Sequence, residues 1–147
     1  MRRGGQITFD FMIAFMLISV TVAGAVSLAN GELSTANTID KTARLKAFAV
    51  DLRDTVTKVY SIGGGFTVVK DCPIELGKGD SISITLNSSS NSVTVEAVLS
   101  GRRYLVVQRL QVPVYTTTSV TLDEKRSSFN VTAVYNAAEG RTYVELE

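Results

Sequence analysis

Asp10 is the only ionisable residue between Arg3 and Glu32. It sits one helical turn beyond a Gly5-Gln6 junction and one residue before an uncharged run covering residues 11–31. These 21 residues would span about 30 Å as a helix, the thickness of a bilayer core. A carboxylate at membrane depth is costly and marks a functional site by default. The chemistry open to it depends on what lies four residues earlier. Cutting the chain after Gly5 would free an α-amine at Gln6, which is cationic at neutral pH. Residues four apart fall on the same side of a helix. Amine and carboxylate would then compensate each other in an apolar environment where either alone is unfavourable. Without a cut, Asp10 is an interfacial acid reaching toward headgroups.

Three readings of this segment follow. A conventional secretory signal accounts for Arg2 and Arg3, and Ser27-Leu28-Ala29 offers a small-residue cleavage site. Its apolar region is, however, longer than the roughly 7–15 residues of ordinary signals. A plain single-pass anchor fits the length and leaves Asp10 without a role. Cleavage between Gly5 and Gln6 retains the apolar helix as a working part. In the latter two, the basic N-terminus stays cytoplasmic and the remaining body lies outside.

The string Gly5-Gln6-Ile7-Thr8-Phe9-Asp10-Phe11 resembles the class III signal peptide of archaeal type IV pilin-like proteins. In that family a short basic leader ending in Gly is removed before Gln, and an acid, more often Glu, stands fifth in the mature chain. The resemblance covers about a dozen positions and the hydrophobic stretch after them. It is less close to archaellins, and small bacterial tight-adherence pilins lack a sizeable β domain. It implies a leader at residues 1–5, a new N-terminus at Gln6, and Asp10 pairing with the N-terminal amine, often that of a neighbouring subunit. It also implies partners: further copies of the chain, a prepilin peptidase, an assembly ATPase and a membrane platform protein. The implied product is an extracellular filament, usually adhesive, assembled from a membrane-held precursor.

Two rows of small residues, Ser19, Ala23, Ser27 and Thr21, Ala25, Ala29, have the spacing that lets helices approach closely, a pattern that apolar segments also produce by chance. Phe11, Phe15, Ile18, Val22 and Val26 form a bulkier ridge. No proline precedes Pro73, and the first glycine cluster is Gly63-Gly64-Gly65, so the helix is expected to run from about residue 7 to 62. Gly31 is its expected point of fraying or bending. Past Gly31, Leu45, Phe48, Leu52, Val56 and Val59 form one apolar stripe, suited to a sheet. Ala36, Ile39, Ala43, Ala47 and Val50 lie nearly opposite, with Asp40, Arg44, Asp51 and Lys58 on the flanks. The second stripe is suited to a neighbouring helix, or consists of alanines that simply favour helix.

Beyond residue 63, period-two patterns predict strands, each with one buried and one wet face. They lie at residues 66–70, 82–86, 93–99, 104–112, 120–122, 129–135 and 142–146. Turn signals separate them at residues 77–80 (a hairpin turn), 87–91, 100–101, 123–126 and 139–140. The expected fold class is α+β: a long N-terminal α-helix whose second half packs on a C-terminal meander of antiparallel strands. Its divisions are residues 1–5, 6–31, 32–62 and 63–147. Two Asn-X-Ser/Thr sequons offer glycosylation at Asn87, in an exposed turn, and at Asn130, facing away from Phe129, Val131 and Ala133.

Catalytic chemistry finds little support. The chain has no histidine, the commonest general base and metal ligand. Gly63-Gly64-Gly65 lacks the Lys-Ser/Thr of a phosphate loop, and the acids are scattered. Cys72, the lone cysteine, reads as a small buried hydrophobe before Pro73. A formal charge of +1 provides no basic surface for nucleic acid. We therefore expect no enzyme, no cofactor and no metal. A filament subunit is the first expectation, and a membrane-anchored β-domain binding protein that does not polymerise is the alternative. A domain secreted by cutting near Ala29 is the third.

Overall fold

The computed structural model describes the backbone of residues 4–147 and the side chains from Phe9 onward, Ser34 excepted. Arg2, Arg3 and most of the expected leader lie outside the described residues. One helix, α1 (Gly4–Ile62), is followed by seven strands: β1 (Thr67–Asp71), β2 (Ser81–Asn87), β3 (Ser92–Leu99), β4 (Arg102–Arg109), β5 (Thr118–Leu122), β6 (Ser128–Asn136) and β7 (Arg141–Leu146). The chain divides into two compact units, residues 1–40 and residues 41–147.

The described residues of the first unit are helix alone. Neither Gly24 nor Gly31 interrupts it, so the expected weakness at Gly31 does not break the helix. Thr35 instead donates its hydroxyl to the Gly31 carbonyl at 3.0 Å.

The second unit is an α+β body in which residues 41–62 pack on two antiparallel sheets. The expected stripe is its centre. Leu45, Phe48, Leu52, Val56 and Val59 are all buried, and Ala49 and Thr55 join them. Phe48 packs edge-on against Phe129 of β6, with ring centroids 6.3 Å apart. Asp51 accepts an ion pair from Lys70 of β1 at 2.7 Å. Lys41 donates to Ser100, in the β3–β4 turn, at 3.2 Å. The opposite stripe stays uncovered: Ala36 in the first unit and Ala43, Ala47 and Val50 in the second are exposed, as is Ile39.

The strands do not form one meander. β4-β3-β2-β5 make one sheet and β1-β6-β7 another. Consecutive pairing holds for β2–β3, β3–β4 and β6–β7. β5 returns to the far side of β2, and β1 pairs with β6. The alternating pattern determines which side chains face inward, and it carries no information on which strand is the neighbour. Two turns are reassigned accordingly. The Gly77–Asp80 turn leads the chain into β2 from the other sheet and closes no hairpin. The Asp123–Arg126 turn, whose ends exchange backbone bonds at 3.1 and 3.2 Å, also carries the chain between sheets. The expected strand 104–112 stops at Arg109, where the Leu110 amide bonds to the Asn91 carbonyl at 2.9 Å.

Gly63, Gly64 and Gly65 join helix to sheet, each in its own way. Gly63 has a φ of +98° and donates to Val59 at 3.2 Å, closing the helix. Gly65, also at positive φ, donates to Ala133 at 2.8 Å and starts the β1–β6 pairing. Gly64 lies against Tyr135 so closely that an added Cβ would fall 2.5 Å from the tyrosine's own. This contact needs a residue without a side chain.

Denaturant unfolding of the detergent-solubilised chain checks the packing. Leu52→Ala is expected to cost the body about 2–5 kcal/mol and Gly64→Ala about 1–3 kcal/mol. Ile39→Ala, on the uncovered stripe, should change it by no more than about 0.5 kcal/mol.

Candidate functional site

Residues 9–33 carry the surface most in need of a partner. Phe11, Phe15, Ile18, Val22 and Val26 are each more than half exposed, and Met12, Met16, Leu17, Val20, Leu28 and Leu33 are exposed on other sides. The small-residue rows are exposed between them. This stretch is long and apolar enough to cross a membrane, and it is not buried by any of the described residues.

Two of its hydroxyl groups are bonded to the helix itself. Ser19 donates its hydroxyl to the Phe15 carbonyl and Thr21 to that of Leu17, both at 2.8 Å. Each hydroxyl is satisfied within the helix, so transfer out of water leaves no unmet donor. Asp10 has no such local partner among the described residues. Its carboxylate is exposed on the same continuous helix as Gly5 and Gln6. Gln6 precedes it by about 6 Å along the axis, and the side chains of residues 4–8 lie outside the described set.

The two sequons are not brought together. Asn87 ends β2 and is half-buried. Its carboxamide oxygen accepts from the Ser89 amide and hydroxyl at 2.9 Å and from the Ser90 amide at 3.1 Å. It thus builds the β2–β3 turn, an Asx-type closure by its own side chain. Asn130 lies in the middle strand of the other sheet, its backbone bonded to Glu147 at 2.9 and 3.0 Å. It is on the outer face, opposite to buried Phe129, Val131 and Ala133, as the alternation predicts.

A cluster that sequence spacing does not reveal forms near the β6–β7 turn. Tyr115, from the long β4–β5 connection, meets Tyr143 of β7 edge-on at 5.5 Å. The Arg141 guanidinium stacks on the Tyr115 ring at 5.1 Å. Tyr143 donates its hydroxyl to Glu139, which raises its pKa above the ordinary tyrosine range. Burial and a hydrogen bond with Tyr115 raise that of Tyr60, on the helix. These residues come from three distant segments, so only the fold unites them.

Comparison with protein-family models, with characterised proteins and with solved structures gives no match. The functional reading therefore rests on the chain's own residues.

Cys72 is half-buried rather than fully enclosed, packed beside the core with its thiol 3.0 Å from the Ile74 carbonyl. Burial pushes the thiol's pKa up, which lowers the thiolate fraction that reacts. Alkylation by iodoacetamide near pH 8 should be slower in the folded chain than in urea. The folded rate should keep climbing at pH values where an ordinary thiol has levelled off. Equal rates in both states would contradict this placement.

Proposed function

We propose that this chain is the structural subunit of an extracellular, archaeal type IV pilus-like filament. It would be cut before Gln6 by a prepilin peptidase, held in the membrane, and assembled through its N-terminal helix with the help of an assembly ATPase and a platform protein. Surface adhesion is the output this reading favours. The observation that carries it is a single helix with two fates. Residues 45–59 carry the stripe seated in the chain's own core, while residues 11–31 are uncharged and exposed throughout.

A bilayer alone would satisfy that apolar surface, and only Asp10 discriminates. An isolated carboxylate is unfavourable in lipid and in a packed helical core alike. An amine at Gln6 compensates it, in the same chain or a neighbour. The internally bonded hydroxyls of Ser19 and Thr21 and the small-residue rows suit close helix packing in either setting. The back-bonds make no demand on lipid. In this reading a filament replaces the bilayer around the helix with other copies of it.

N-terminal sequencing of the mature protein together with electron microscopy of sheared surface fibres tests the proposal. The expected mature N-terminus is Gln6. Asp10→Ala and Asp10→Asn should reduce filament number at least about tenfold, while Asp10→Glu should largely restore it. An unprocessed N-terminus supports the non-polymerising anchor instead, and Asn30 at the N-terminus supports a secreted domain. Normal filaments from Asp10→Ala would remove the acid from the assembly mechanism.

A further inference from the structure

The body carries a second pair of complementary surfaces, independent of the apolar helix. One is a pocket of about 590 Å³ beside the β6–β7 turn, whose lining includes Val134, Tyr135, Glu139, Tyr143 and Glu145. The charged residues in its wall are both acids. Glu145 is half-buried and makes no ion pair among the described residues. Tyr135 and Val134 present exposed apolar surface next to it.

The other surface is the outer face of β4. Arg103, Leu105, Val107 and Arg109 alternate outward, and Leu105 and Val107 are more than half exposed. Arg103 is occupied by Glu96 across the β3–β4 pair. Arg109 is exposed and has no ion-pair partner among the described residues. Among the strands, β4 contacts β3 alone, so its own chain does not place this face on the β6–β7 pocket.

We propose that the β6–β7 pocket receives Arg109 from the β4 face of a second copy of this chain. The guanidinium meets Glu145 and Glu139 and lies along the tyrosine rings, while Leu105 and Val107 cover Val134 and Tyr135. A planar guanidinium suits this combination of carboxylate and aromatic surface better than an ammonium does. The same cluster already holds one guanidinium, Arg141, against Tyr115 at 5.1 Å. Because pocket and arginine lie on different surfaces of one body, each joined pair leaves one of each free. A contact of this kind propagates along a string of copies. The inference rests on the polymer reading only in that both require a second copy, and the contact does not involve Asp10 or the apolar helix.

The test is the self-association of the detergent-solubilised full chain at low and high salt, measured by sedimentation. Arg109→Glu and Glu145→Arg should each weaken association about tenfold or more at low salt, and the two changes combined should recover it. High salt should weaken the original contact. Lys46→Glu is the comparison change, an exposed charge reversal on the helix that should leave this association unaltered. A wild-type chain that stays monomeric, single reversals without effect, or a double reversal without recovery overturns the contact. Filaments that form while Arg109→Glu associates normally would keep the polymer reading and remove this interface. Recovery by the double reversal in a chain that never forms filaments would do the opposite.

Discussion

The fold depends on one stripe of a helix being enclosed by two sheets. Leu45, Ala49, Leu52, Val56 and Val59 fall at three- and four-residue steps and are almost wholly inaccessible. Opposite them stand the inward rows of both sheets, with Ile82, Ile84 and Leu86 on one and Val131, Ala133 and Val144 on the other. The helix stripe packs into the same core as these rows, and an amphipathic helix draws most of its stability from such packing. The ties at Lys41, Asp51 and Phe48 reach both sheets. The three glycines then end the helix and turn the chain directly into the β1–β6 pairing.

The same helix extends through residues with no enclosing partner among the described residues. This changes the meaning of its N-terminal half. A helix that is hydrophobic all round belongs inside a larger assembly or a membrane, and within residues 9–33 the hydroxyls of Ser19 and Thr21 are satisfied by the helix backbone as such a setting requires. Asp10 is the exception that makes the segment more than an anchor in the proposed reading. Body stability and assembly would be separable properties of one continuous helix. Damage to the buried stripe would unfold the body, and damage near the N-terminus would leave it folded.

Much of this was legible in the sequence. The buried stripe, the end of the helix at Ile62 and the inward residues of nearly every strand follow from periods of 3.6 and 2. Strand partnership was not legible, since alternation in β1 or β5 is equally consistent with several neighbours. Ala49 and Thr55 escaped because small or polar residues barely alter an apolar pattern, although their spacing places them with Leu45 and Leu52. Asn87 read as a surface sequon, and its role as the oxygen that closes the β2–β3 turn depends on three local hydrogen bonds. The tyrosine cluster had no local signal at all, because Tyr60, Tyr115 and Tyr143 meet only after both sheets have formed.

The central claim is that the uncovered half of α1 finds its partners in other copies of itself. The most direct measurement is an electron cryo-microscopy reconstruction of surface fibres containing this chain. The account predicts residues 9–33 bundled as helices along the fibre axis, with the body on the outside. Fibres whose axis is built from the β domain, or a chain recovered only from the membrane and never from a fibre, would contradict it.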